Sequence, residues 1–130
     1  MKFNRLGNSD LQVSDVCLGT MTWGIQNTQQ DADEQMAFAL DKGVNFVDTA
    51  EMYPVPPNVD TYGDTERIIG NWISRNESKR SDIVLMTKIA GSGLKYIRNA
   101  GPITADAIAN ALTYSLERLK TDYIDVYQLH

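Results

Sequence analysis

The chain has 130 residues, 42% of them hydrophobic and 22% charged, which is the balance of one globular domain. A net charge of −5, with no basic run longer than Lys79-Arg80, excludes a nucleic-acid footprint, and no stretch is both long and apolar enough to span a membrane. Met1-Lys2-Phe3-Asn4-Arg5 is followed by no apolar run, so no signal peptide is expected; the single cysteine, Cys17, excludes an internal disulfide, and the expected compartment is the cytoplasm.

In chain order, Lys2 to Leu6 and Leu11 to Val13 flank the turn formers Gly7-Asn8-Ser9-Asp10, so residues 1–15 are expected to form a hairpin. Val16 to Thr20 follows as a short buried strand, with Cys17 a small buried side chain. Met21-Thr22-Trp23-Gly24 leaves that strand, and a polar connection runs through Gln30. Asp31 predicts the N-cap of a first helix carrying Ala32, Met36, Ala39 and Leu40 on one face, with Gly43 placed to stop it. Val44 to Val47 then runs into Asp48, the look of a buried parallel strand that ends in a polar pocket, and Tyr53 stands five residues later.

Pro54-Val55-Pro56-Pro57 can continue neither a helix nor a central strand. Tyr62-Gly63-Asp64-Thr65 leads into a second helix with Ile68, Ile69, Trp72 and Ile73 as its apolar face. Ile83 to Thr87 is a third strand closed by Lys88, and Gly91-Ser92-Gly93 and Gly101-Pro102 bracket a loop. Thr104 caps a third helix with Ile108, Leu112, Leu116 and Leu119 at spacings of four, four and three. Tyr123 to Leu129 is a fourth strand, followed by His130. Trp72, Met36 and Met86 read as packing.

Strands alternating with helices imply βαβ units and a parallel sheet, in an α/β fold. An open doubly wound sheet and part of an eight-stranded (β/α)8 TIM barrel both fit. Gly19-Thr20-Met21-Thr22-Trp23-Gly24 does not match the G-x-G-x-x-G phosphate turn of the first. The second is favoured because Asp48, Lys88 and His130 fall at the C-terminal ends of successive strands, which is the catalytic rim of such barrels. Residues 16–130 would supply the first four barrel strands and the helices between them.

Several stretches carry a family resemblance. They are Leu18-Gly19-Thr20-Met21-Thr22-Trp23-Gly24, Asp48-Thr49-Ala50-Glu51-Met52-Tyr53, Thr65-Glu66 with Gly70-Asn71-Trp72, Thr87-Lys88, and Ser115 to Leu119 running on to Asp122-Tyr123-Ile124-Asp125 and Tyr127 to His130. Through them the chain resembles the N-terminal part of an aldo-keto reductase, most closely the bacterial Tas-like branch of that superfamily. The resemblance implies reduction of aldehydes or ketones with NADPH as cofactor. It implies Asp48, Tyr53, Lys88 and His130 as catalytic residues, Thr20, Met21 and Asp48 beside the nicotinamide-ribose, and Trp23 as a wall of the substrate pocket.

The residue types suit that chemistry. Hydride addition leaves negative charge on the carbonyl oxygen, which calls for a positioned acid. A tyrosine supplies one, a nearby ammonium stabilises its phenolate, and a carboxylate holds the ammonium. Alone, Asp48 reads as a turn cap, Lys88 as an exposed lysine, Tyr53 as a loop aromatic and His130 as a chain end; as a set at strand ends they point to a site.

In the family the catalytic tyrosine is commonly followed by glycine. Here Pro54 follows Tyr53, and a Tyr-Gly pair appears at Tyr62-Gly63, so both tyrosines are candidates. Spacing from Asp48 favours Tyr53, with 55–61 as an insertion on the rim loop. A full barrel of this kind takes about 250 residues, so the chain is expected to be a fragment with little activity alone. The partners expected are a small carbonyl substrate, with neither nucleic acid nor membrane, and a second copy or a C-terminal half at the open strand edges. A catalytically weak nucleotide-binding module and a self-associating half-barrel are the rival readings. No metal site is expected.

Overall fold

The computed structural model describes residues 1–130, and its first element is the hairpin. Strand β1 (Phe3–Arg5) pairs antiparallel with β2 (Gln12–Ser14). Gly7 adopts the left-handed φ of 57° that the tight connection needs, and the Ser9 hydroxyl donates to the Leu6 carbonyl at 2.6 Å.

The remaining strands, β3 (Cys17–Gly19), β4 (Phe46–Asp48), β5 (Val84–Ile89) and β6 (Val126–Leu129), form one parallel sheet in the order β3-β4-β5-β6. Helices α1 (Gln29–Asp41), α2 (Asp64–Arg75) and α3 (Ala105–Leu119) connect them in turn. Spatial order equal to chain order leaves no point at which the winding reverses, which is the topology of a barrel wall and not of a doubly wound sheet. The fold is α/β, a parallel sheet forming part of a (β/α)8 barrel.

Strand pleating decides which residues face the helices. Val47 on β4 and Leu85 on β5 join Trp23, Ala32, Met36, Ile69, Trp72, Ile73, Ile83 and Leu119 in one buried cluster. Trp72 and Met36 are core residues, as the sequence suggested, and Met86 is also buried.

Four local expectations change. Helix α1 begins three residues early: Thr28 is the N-cap, its hydroxyl accepting from the Asp31 amide at 3.2 Å while the Asp31 carboxylate accepts from the Thr28 amide at 2.7 Å. Asp31 is thus the reciprocal partner of a capping box, and these hydrogen bonds hold its carboxyl below the usual range.

The face of α3 that packs hardest is Ala111, Ser115 and Leu119, with Ile108, Leu112 and Leu116 half-buried beside it. The reason is close approach: a Cβ added at Gly70 of α2 would lie 2.1 Å from the Arg118 carbonyl oxygen, so small residues occupy the crossing. Strand β6 starts at Val126, three residues later than expected, because Asp125 turns its carboxylate to the Leu85 amide at 2.9 Å and the preceding Tyr123 is exposed. Cys17 is exposed, not buried, because β3 lies at an edge of the sheet with no strand on its far side.

Candidate active site

Asp48 is the last residue of β4 and pairs in register with Met86, so Lys88 stands one pleat further along β5 on the same face as Met86. The alternate residue Thr87 points the other way, to the helices, where its hydroxyl donates to Glu66 at 2.6 Å. The pleat therefore sends Lys88 to the face opposite the helix layer.

Lys88 is 8% exposed, and an ammonium so placed needs compensation. Its Nζ lies 2.5 Å from Asp48 Oδ1, donates to the Thr49 carbonyl at 2.8 Å, and donates to the Tyr53 hydroxyl at 3.4 Å. It also sits 4.8 Å from the centroid of the Tyr53 ring. The Asp48 contact is a close ion pair, and it is the one side-chain contact that holds the Asp48 carboxylate.

Tyr53 is buried, and its backbone is fixed at both ends: its amide donates to the Ala50 carbonyl at 3.1 Å and its carbonyl accepts from the Gly63 amide at 2.9 Å. His130 follows β6 and donates its amide to the Ile89 carbonyl at 3.1 Å. Its imidazole meets the Tyr53 ring edge-on, centroids 5.8 Å apart and planes at 78°. Partial burial, reinforced by the Lys88 charge and opposed by Asp48, lowers the His130 pKa below the ordinary 6.5 and favours a neutral imidazole at pH 7.

The structure thus brings Asp48, Tyr53, Lys88 and His130 together at the C-terminal ends of β4, β5 and β6. Thr20 is fully buried, its hydroxyl donating to the Asp48 carbonyl at 2.8 Å, so it pins the end of β4. Met21 carries an exposed side chain, and its carbonyl accepts from the Val55 amide at 2.8 Å, joining two rim loops.

Trp23 is not brought to the site. It is 1% exposed within the core cluster, its indole N–H donating to Gln35 at 2.9 Å, so here it anchors its loop instead of presenting a wall to a substrate. Tyr62 packs against Tyr96 with centroids 5.7 Å apart and makes no hydrogen bond to Lys88.

Sequence reasoning assigned no role to a group of buried charges behind the rim. Glu66, fully buried, pairs with Arg118 at 2.7 Å. A signal existed, because Glu66 lies on the same stripe of α2 as Ile69 and Ile73, where a lone charge implies a partner. Glu51, 3% exposed, pairs with Arg98, which lies 47 residues away, and no local pattern announces that contact. No group of three or more His, Cys, Asp and Glu side chains is arranged to hold a metal ion, and no helix is long and apolar enough to cross a membrane.

A cofactor that delivers hydride at this rim would need an acceptor for a ribose hydroxyl and an open approach. The Asp48 carboxylate, its side chain 22% exposed, supplies the first and the exposed Met21 side chain borders the second, so these residues fit such a group.

Comparison with known proteins agrees with the geometry. The family described as "Aldo/keto reductase family" matches residues 15–130. "Protein tas" of Escherichia coli (strain K12) is 43% identical over 133 residues, covering 100% of this chain and 38% of that protein. "Uncharacterized oxidoreductase YrpG" of Bacillus subtilis (strain 168) is 37% identical over 136 residues, covering 100% of this chain and 40% of that protein. Among solved structures, aldo-keto reductase AKR11C1 from Bacillus halodurans in its holo form superposes with a TM-score of 0.80 at 34% identity, over 100% of this chain and 40% of that one. The chain therefore spans about two fifths of the length of these relatives. With the family matched from the first barrel strand to the last residue and the strand-end cluster assembled where the fold requires it, the chain belongs to the aldo/keto reductase family.

Proposed function

We propose that the protein built on this chain reduces aldehydes or ketones to alcohols, with NADPH as hydride source and Tyr53 as proton donor, and that residues 1–130 form its N-terminal unit. The observation that carries the reading is the placement of the Lys88 ammonium between Asp48 at 2.5 Å and the Tyr53 hydroxyl at 3.4 Å.

Bound NADPH would supply the hydride; the side chains do the rest. Tyr53 donates its phenolic proton to the carbonyl oxygen as negative charge develops there. The Lys88 ammonium stabilises the charge left on the phenol oxygen, and Asp48 together with the Thr49 carbonyl keeps Lys88 from turning away. His130, neutral and held against the Tyr53 ring, donates a hydrogen bond that orients the substrate oxygen. Asp48 and Met21 would hold the nicotinamide-ribose, with Thr20 beside them pinning the end of β4. The reading assigns the protein to the cytoplasm, in keeping with a single unpaired cysteine.

Oxidation of NADPH in the presence of a reactive aromatic aldehyde, followed by its absorbance in the full-length protein, tests this. Tyr53→Phe is expected to abolish turnover while leaving NADPH binding intact, and Tyr62→Phe to retain turnover. If Tyr62→Phe is the dead variant, the proton donor is wrongly assigned.

A second reading is favoured by one observation: both outer strands, β3 and β6, have an open edge, with Val16 52% and Leu129 65% exposed beside them. On that reading the 130-residue chain by itself self-associates. Light scattering that finds only monomer at high concentration removes it.

A further inference from the structure

We infer that Glu51 and Arg98 form a clamp that sets the distance between Tyr53 and Lys88, which makes Glu51 a positioning residue of the site. Glu51 lies two residues before Tyr53, in the turn after β4. Its backbone amide donates to the Lys88 carbonyl at 3.1 Å, continuing the β4–β5 ladder past the end of β4. Its carboxylate then reaches further along β5 and accepts from the Ala90 amide at 2.7 Å.

One residue therefore holds the chain on both sides of Ile89. Since Lys88 and Tyr53 are each within two residues of these bonds, their mutual spacing follows from them. The Thr49 amide, donating to the Met86 carbonyl at 2.9 Å, secures the same ladder one step earlier.

A carboxylate only 3% exposed needs a cation, and Arg98 supplies it from the loop before α3. The Arg98 guanidinium donates to Glu51 and also to the Ala90 carbonyl at 3.0 Å, so both polar groups of Ala90 are held by the one pair. To reach this position Arg98 and its successors Asn99 and Ala100 take left-handed φ values of 48°, 54° and 55°, a run that non-glycine residues rarely adopt. Ile97, 4% exposed, anchors the loop on the other side. The loop before α3 is thereby fastened to the proton-donor turn by a buried charge pair.

The clamp rests on the reading of Tyr53 as proton donor, and its test separates the two. In the full-length protein, Glu51→Gln keeps the shape and an acceptor oxygen but removes the charge, and Arg98→Met removes the cation. Below the melting temperature of every variant, each substitution is expected to lower kcat about 10-fold, with KM for NADPH and for the aldehyde within about 2-fold of wild type. The double variant should be no worse than the poorer single one, because both break the same unit, and Arg98→Lys should recover part of the loss.

Unchanged kcat in both single variants, a loss confined to KM, or losses that multiply in the double variant overturns the clamp. If the wild-type protein reduces no carbonyl, the proposed function fails, and hydrogen exchange at the Ala90 and Tyr53 amides decides the clamp alone. Faster exchange at both in Glu51→Gln and Arg98→Met sustains it, and unchanged exchange removes it.

Discussion

Buried charge occurs at both ends of β5, and the two ends use it differently. Toward the N-terminal end Arg80, 6% exposed, makes four hydrogen bonds within the fold: Nε donates to the Thr121 hydroxyl at 3.1 Å, Nη1 to the Ile83 carbonyl at 3.2 Å, and Nη2 to the Tyr123 carbonyl and Asp125 at 2.9 Å each. Its guanidinium also stacks 3.8 Å from the Tyr123 ring centroid, and Asp125 accepts a further bond from the Leu85 amide. At the C-terminal end Lys88 and Asp48 are also paired, but the Tyr53 hydroxyl beside them is approached by Lys88 alone. The Arg80 contacts tie the 121–125 segment to the start of β5 and so hold the fold together. The Tyr53 hydroxyl, bonded only by Lys88, has capacity left for a reacting molecule.

Substitutions sharpen this contrast. Arg80→Met should be the most damaging to stability, by about 3–5 kcal/mol, because it leaves Asp125 and several carbonyls unpaired in a buried place. Chemical denaturation measures it, and the fraction that stays folded should keep its turnover. Lys88→Met should do the reverse, lowering kcat about 100-fold or more while costing less than about 2 kcal/mol, since Asp48 is partly open to water. A Lys88→Met protein that unfolds as readily as Arg80→Met would erase the distinction between the two ends.

His130 provides a smaller effect at the reactive end. It is the chain's one histidine, so its ring signals in proton magnetic resonance of the 130-residue chain need no assignment. The titration midpoint should fall below 6.5 and should rise again in Lys88→Met, which removes one of the lowering influences. A group with a depressed folded-state pKa binds its proton better in the unfolded chain. Its contribution to stability is therefore complete above about pH 6.5 and declines as pH falls from there through the folded-state value.

The smallest effect lies at the sheet edge. Cys17 is exposed, yet burial of its thiol, helped by the Asp48 charge, pushes its pKa up to about 11. Alkylation near pH 8 should consequently be slower than for a free thiol, and a rate equal to that of free cysteine would contradict it.

Much of the fold was legible because it is written in local patterns. The alternation of strand and helix, the apolar stripe of α2 and the Thr104 cap of α3 appear as expected. The misjudged positions on α3 and β3 share a cause, namely a partner distant in sequence or missing beside an edge. Asp31 looked like a cap because it precedes an apolar run, but the Thr28 hydroxyl accepts from the Asp31 amide itself and starts the helix three residues earlier, a local choice between two capping residues. On α3 the large aliphatic residues marked a face, yet α2 approaches so closely at Gly70 that Ala111 and Ser115 take the tightest positions. Cys17 has apolar neighbours, and only the absence of a strand beside β3 leaves it exposed.

For the candidate site, the types and order of Asp48, Tyr53, Lys88 and His130 were readable in the sequence, since each stands at or just beyond the end of a strand-like run. Spacing from Asp48 favoured Tyr53 over Tyr62 as the neighbour of the lysine, although the rim loop could present either one. The fold resolves that contact: the ladder from Thr49 to Glu51 carries Tyr53 to Lys88, while Tyr62 remains on the outer loop against Tyr96. Trp23 likewise had the residue type of a pocket wall, and its bond to Gln35 and place in the core withdraw it. The sequence by itself determined the strand-and-helix alternation and the chemical identity of the strand-end groups, because both depend on short-range pattern. Only the tertiary structure decided the charge pairing behind them, since Glu51 with Arg98 and Glu66 with Arg118 are brought together by long-range burial that excludes any unpaired charge.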